Sequence, residues 1–342
     1  MLIGYLHHRK DPLKSRKLYA YAAVSLMEGA ELVYFSPKMV DLTNKVINGY
    51  MYKNGKWEKT VTKLPDVIIN AGSPIKLEHR KVVKQLKQLV PFTTHSIGNK
   101  LAVYRRLYKD GTYKDYLIPS HLIKQVNDVF IYLERYGKVV FKPTNGHQGK
   151  NIVFIEKLEN MYRVKIDTNR QLYSKEELVN LIDTRMKEEN YLIQPYIKST
   201  TKTGLAFDFR IHTQKDGEGK WVICAIYPRI AKKDSVVANI NNGGVTCTLD
   251  SFLKTEFGDK AETIKHKLIE FGLGVSKKLE ELQLKEYGEY LDELGIDVGM
   301  DEKEKIWVFE INYRPGCPPI FYLELDVVKN MIRYAKYLAQ RR

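Results

Sequence analysis

LGIDVGMD (residues 294–301) and KIWVFEINYRPG (residues 305–316) decide how this chain is read. Both are apolar runs of strand composition, and they carry Asp297, Glu310 and Asn312. Carboxylates are costly on otherwise buried strands, so two of them on neighbouring strands imply a cation that neutralises them. Mg²⁺ suits carboxylate and amide oxygens and keeps positions for phosphate or water, with Mn²⁺ as an alternative. The bland alternative is a surface salt-bridge cluster on a hairpin edge, and the apolar flanks argue against it.

A metal that keeps open positions directs attention to phosphate binders upstream. YGKVVFKPTNGHQGKNIVFI (136–155) ends one β-rich run at Lys142 and starts another after Lys150. Gly146 and Gly149 let backbone amides turn inward, and the two lysines add point charges for polyphosphate. Alone, this stretch is as well explained by a basic hairpin turn; the downstream carboxylates tip the reading. It is not a Walker loop, because the G-x-x-G-K-N spacing is wrong and a strand follows.

At 342 residues, 44% hydrophobic and 11% aromatic, the chain is long enough for two or three lobes with cores of their own. Its net charge of +15 favours anionic partners without choosing among nucleotides, acidic substrates, acidic polymers and nucleic acid. Cys224, Cys247 and Cys317 show no C-x-x-C or His pairing, which argues against a disulfide framework or structural zinc. With no apolar run of membrane-spanning length and no signal-peptide pattern, a cytoplasmic protein is expected.

Residues 1–95 read as a small α/β unit with a mainly parallel sheet, including a hairpin that contains Trp57. Residues 96–195 start with helix NKLAVYRRLYK, carry the glycine loop and end in the strand YLIQPYI (191–197); Ser174 and Glu177 form a capping-box pattern. Residues 196–342 alternate β-rich runs with a long helix and read as an α+β lobe with an antiparallel core. The tail VVKNMIRYAKYLAQRR has apolar residues at helical spacing and is expected to pack on that last lobe.

VVFKPTNGHQGKNI, YLIQPYI, FDFRIHTQKDGEGKWVICAIYPRIA, NINNGG and GIDVGMD…WVFEINYRPG, in this order, resemble the ATP-grasp superfamily and most of all its YheC/YheD branch, described as endospore coat-associated. The resemblance covers roughly residues 96–320. It implies an ATP-grasp fold, in which a pre-ATP-grasp α/β domain precedes two α+β lobes enclosing ATP. Lys100 and Lys142 match the nucleotide-binding lysines, and Gly146, Gly149 and Lys150 the loop over the phosphates. Gln194, Tyr196 and Ile197 match the hinge beside the adenine, where Gln194-Pro195-Tyr196 departs from the acidic–aromatic pair of better-known members. Asp297, Glu310 and Asn312 match the Mg²⁺ positions, and Arg210, Arg229 and Asn239 match groups near the γ-phosphate and substrate.

The implied activity is ligation of a carboxylate to an amine through an acylphosphate, on a small molecule or peptide, with spore-coat association implied by the branch alone. Three rivals stand beside it: a non-catalytic interaction protein that binds ATP, a nucleic-acid binder, and a phosphoryl transferase without ligation. The basic residues show no helix-turn-helix or aromatic–basic platform, so neither specific nucleic acid nor membrane is expected. Arg210 could pair with Asp208, which shares its strand face, and Arg229 could be a solvated charge beside Lys232 and Lys233. Cys317 reads as a buried thiol and His147 as a loop tip, while His7 and His8 carry no signal.

Overall fold

The computed structural model describes residues 1–9, 11–72, 76–144, 151–166, 169–233, 235, 238, 243–315 and 326–341. Three sheets follow one another along the chain. The first contains β1 (Leu2–Leu6), β2 (Glu31–Phe35), β3 (Val40–Asp41), β4 (Val46–Lys53), β5 (Lys56–Lys63) and β6 (Val67–Asn70). β1 pairs in parallel with β2 and β6, whereas β4 runs antiparallel beside β2 and pairs with β3 and β5. The mainly parallel sheet expected from the sequence is therefore mixed. The chain from β2 to β4 is too short for a helical crossover and turns back on itself.

β1 alternates across the sheet: Ile3 and Tyr5 enter one core, and Leu2 and Leu6 the other. Helix α1 (Arg16–Met27) covers the first face with Leu18, Tyr21 and Ala22, and α2 (Leu77–Leu89) covers the second with Val83 and Leu86. The C-terminal helix Asp326–Gln340 places Val328, Met331, Ile332 and Ala335, spaced as one helical stripe, in the core beneath α1. The expected packing on the last lobe is present as well, with Arg333 against Gly217, Tyr337 against Gly219 and the Tyr334 ring beneath Lys215. Asn330 reaches Cys224 of that lobe at 3.2 Å, but the apolar face belongs to the first sheet.

The second sheet is antiparallel throughout, in the order β11-β10-β9-β8-β12-β7: β7 (His121–Leu122), β8 (Lys138–Pro143), β9 (Val153–Lys157), β10 (Tyr162–Ile166), β11 (Asn169–Tyr173) and β12 (Tyr191–Pro195). Helices α4 (Val126–Tyr136) and α5 (Lys175–Glu188) bury Val129, Leu133, Leu178 and Ile182 against Val139, Phe141 and Ile193. The Ser174–Glu177 capping box is present in both directions at the start of α5. By strand alternation Lys142, Leu192 and Gln194 lie on the uncovered face, with Leu192 and Lys142 register partners.

The third sheet is also antiparallel, in the order β15-β14-β13-β16-β17: β13 (Phe207–Lys215), β14 (Trp221–Ile230), β15 (Val245–Thr246), β16 (Glu293–Met300) and β17 (Ile306–Asn312). The 27-residue α7 (Ala261–Tyr287) and α6 (Leu249–Phe257) seal one face over Phe209, Ile211, Ile296 and Val298. Gly272 makes this close approach possible, because a Cβ there would stand 2.6 Å from the Ile211 side chain. The opposite face carries Asp208, Arg210 and His212 of β13 and Asp297 of β16. Helix α3 (Lys100–Asp110), capped by the Asn99 side chain on the Ala102 amide at 2.9 Å, lies between the second and third sheets.

Candidate active site

Asp297 and Glu310 are direct partners in the β16–β17 ladder, so both side chains stand on one face, and Asn312 follows two residues along. The register then slips, leaving Phe309 as the extra residue of a bulge. Its ring lies over Gly299, where an added Cβ would meet it at 2.2 Å. Phe309 also lines a pocket together with Lys100 and Tyr104 of α3, Ser120, Lys142 of β8, Gln194 of β12 and Glu310.

In this pocket the Lys100 ammonium sits 3.0 Å from Glu310. Lys142 is pushed down to about 8 by burial and by Lys100, with Glu310 opposing the shift. Gln194 is buried, and its amide donates to Ser120 Oγ at 2.5 Å. Tyr196 and Ile197 follow Gln194 along the chain and do not line this pocket. The Tyr196 amide donates to the Lys138 carbonyl at 3.0 Å, and the Ile197 carbonyl accepts from the Ser199 amide at 3.1 Å.

Beside the pocket, on the same sheet face, two carboxylates and two guanidiniums interlock. Arg210 donates to both oxygens of Asp297, the Nη2 bond being 3.0 Å. Arg229 donates to both oxygens of Asp208 at 2.6 and 2.8 Å, and it also reaches Asp297 at 3.1 Å. Asp208, Arg210 and Asp297 are buried. Burial outweighs Arg229 and pushes Asp208 up to about 6, whereas at Asp297 the two arginines together overcome burial and hold the carboxyl below its ordinary range.

The strand carboxylates, expected to face a cation, meet side-chain cations: Arg210 and Arg229 at Asp297, and Lys100 at Glu310. No group of three or more His, Cys, Asp or Glu forms a metal cage among the described residues. The donor set itself still suits a hard cation, because two carboxylates and the Asn312 amide share one face at the pocket edge. The Arg210–Asp208 pair considered from sequence does not form; each residue takes a cross-strand partner instead. Nor is Arg229 a solvated charge. Gly146, Gly149, Lys150, His147, Asn239 and Cys317 lie outside the described residues.

Sequence reasoning passed over Ser120 and Tyr104, which nothing local distinguishes, and a basic cluster at the C-terminal end of the first sheet. There the His7 and His8 rings lie 4.2 Å apart, and burial, then His8, Arg9 and Arg314, push His7 down to about 4. Arg314 follows β17 and Pro315 packs against Gly295, where an added Cβ would also stand 3.2 Å from Arg210 Nη1. The cluster therefore adjoins the arginine–carboxylate group. Gly72 fits against it where a side chain would meet His8 Nδ1 at 3.1 Å. The end of β1, whose neighbours β2 and β6 are reached in opposite directions, is the usual position for a ligand crevice in such sheets.

This fold and site define an ATP-grasp protein, and the chain belongs to the YheC/D-like ATP-grasp family, whose model matches residues 89–338. Among curated relatives it is 27% identical to the endospore coat-associated protein YheD of Bacillus subtilis (strain 168), over 99% of this chain and 78% of that protein. Among solved structures it is similar to the D-cycloserine synthetase DcsG, with a TM-score of 0.55 at 13% identity over 100% of this chain and 99% of that one. The D-alanine-D-alanine ligase from Coxiella burnetii gives a TM-score of 0.55 at 9% identity, over 100% of this chain and 96% of that one. At these identities the likeness establishes the fold. No helix among the described residues is long and apolar enough to cross a membrane.

Proposed function

We propose that the protein is an ATP- and Mg²⁺-dependent carboxylate–amine ligase that works through an acylphosphate, with an amino acid, peptide or other acidic molecule as the acyl donor. The observation that carries this reading is the continuity of the site. Lys100, Lys142, Gln194 and Glu310 line one pocket, and Glu310 stands opposite Asp297, which Arg210 and Arg229 hold. The ligase and synthetase among its structural neighbours support the same class.

In this reading Lys100 and Lys142 take the polyphosphate, the segment with Gly146, Gly149 and Lys150 covers it, and Gln194, Tyr196 and Ile197 flank the base. Asp297, Glu310 and Asn312 would hold Mg²⁺, which when bound draws charge from the transferring phosphoryl oxygens. Asp297 would share its oxygens between that ion and the guanidiniums. Arg210 and Arg229, with Asn239, face the γ-phosphate, and the His7–Arg9–Arg314 cluster receives the substrate carboxylate.

A carboxylate oxygen attacks the γ-phosphorus and the bond to ADP breaks. The amine lone pair then attacks the acyl carbon, the bond to phosphate breaks and the amine gives up a proton. A carboxylate is a poor acyl donor until this exchange gives it a leaving group, and fixed positive charge lowers the barrier to the transfer.

The coat-associated relative and the closed ion pairs of Asp297 favour a second reading, in which ATP is bound without turnover by an interaction protein. ADP and phosphate release with Mg-ATP across a panel of amino acids and acidic peptides, with mass spectrometry of products and Glu310→Ala as control, separates the two. A new amide product that is lost in the variant is expected. ATP binding with no turnover across the panel would overturn the ligase.

A further inference from the structure

Among the described strands β5 (KWEKTVTK) pairs only with β4, so it forms an outer edge of the first sheet. Its turn is the two-residue Asn54–Gly55, at φ of 50° and 77°, and Lys53 and Lys56 flank it as partners. Residues flanking such a turn form a hydrogen-bonded pair, and the pattern alternates from there. The backbone N–H and C=O groups of Trp57, Lys59, Val61 and Lys63 therefore point away from β4, along an eight-residue edge that no other described strand occupies. The side chains of the same four residues share one face.

We propose that this edge is a docking strand for an extended acidic polypeptide, which adds to the sheet beside β5 and sets carboxylates against its lysines. Main-chain hydrogen bonds would supply the pairing and the lysines the selectivity. Residues 45–63 hold five lysines, Lys45, Lys53, Lys56, Lys59 and Lys63, and one acid, Glu58, with Asp66 just beyond the strand 3.7 Å from Lys63. Val61 is 66% exposed in the middle of the strand, an apolar contact between Lys59 and Lys63. A partner strand complementary to that face reads acidic–x–apolar–x–acidic.

The same charges exclude other occupants. A second copy of β5 would set lysine against lysine, which is the usual protective use of lysine on an edge. Nucleic acid would need open ring faces and only cations along its phosphates. The aromatic rings here pack on one another edge to face, Tyr19–Tyr52 at 4.9 Å and Tyr52–Trp57 at 5.3 Å, and the edge alternates donors with carbonyl oxygens.

Fluorescence anisotropy with the full chain and a labelled decapeptide containing Glu-Thr-Val-Thr-Glu tests this. Saturable, salt-sensitive binding is expected, weakened at least tenfold by Lys59→Glu/Lys63→Glu. Val61→Pro removes an outward N–H without touching the β4 ladder and is expected to weaken binding by a similar factor. Unchanged melting temperature and ATP binding would show that both variants are folded. Absence of saturable binding overturns the proposal. So does binding indifferent to Val61→Pro, or binding matched by single-stranded DNA of equal charge, since either would mark a diffuse basic patch.

Discussion

Asp297 and Glu310 face each other across the β16–β17 ladder, yet each is neutralised from a different part of the fold: Asp297 by arginines of β13 and β14, and Glu310 by a lysine of α3. The acidic pair thus ties the third sheet to the helix that borders the second. Loss of either carboxylate should register in stability as well as in nucleotide binding.

Removing Asp297 takes both carboxylate contacts from the buried Arg210 and leaves Arg229 only Asp208, whereas removing Asp208 leaves Arg210 untouched and Arg229 its contact with Asp297 at 3.1 Å. Breaking a buried ion pair costs about 3–5 kcal/mol. Asp297→Ala should fall in that range and Asp208→Ala clearly below it, as read from urea unfolding. Equal costs would mean that Arg229 does not span both carboxylates.

Lys142, at about 8, is protonated at neutral pH and loses its charge as pH rises toward 9. ATP affinity measured by calorimetry should therefore be level below pH 7 and fall through pH 8–9. Lys142→Met should weaken binding by about 1.5–3 kcal/mol, the worth of a hydrogen bond to a charged group, and flatten the profile. Lys142→Arg should keep binding and also flatten it. A profile unchanged in Lys142→Met would assign the titration to another group.

Asp292, at the start of β16, accepts from the Thr94 amide at 2.5 Å and from its hydroxyl at 3.1 Å, and burial and then Glu293 push it up to about 7. A folded value above the unfolded one favours the protonated form in the native state. Its contribution to stability is thus full below about pH 4 and is lost as pH rises through 7. Asp292→Asn should remove this slope from the stability profile between pH 4 and 8, and an unchanged slope would show that other groups set it.

Gly295 lies under Pro315, where an added Cβ would be 2.3 Å from the proline Cβ and 3.2 Å from Arg210 Nη1. Gly295→Ala should cost about 1–3 kcal/mol by overpacking and displace Arg210, lowering turnover more than ATP affinity. Wild-type melting temperature in this variant would show that the segment yields without strain.

Much of this architecture is legible in local sequence. Ser174 with Glu177 marks the start of a helix, and Asp297 with Glu310 marks two strands around a charged centre. What local sequence does not carry is register. Arg210 shares a face with Asp208, but its partner is Asp297, directly across the ladder, because facing residues on neighbouring strands stand closer than i and i+2 on one strand. Arg229 reads as one more surface charge among lysines until β13 is laid beside it. The pocket residues Ser120 and Tyr104 come from segments with no chemical pattern, and His7 acquires meaning only when Arg314 is brought to it from the far end of the chain.

The C-terminal helix completes the core under α1 with Val328, Met331, Ile332 and Ala335. Strand β1 and helix α1 must therefore wait for a helix that is synthesised long after them. Until roughly three hundred further residues have been synthesised, the apolar face of β1 and α1 is without its cover, and a chain truncated before residue 326 would carry that exposed face permanently.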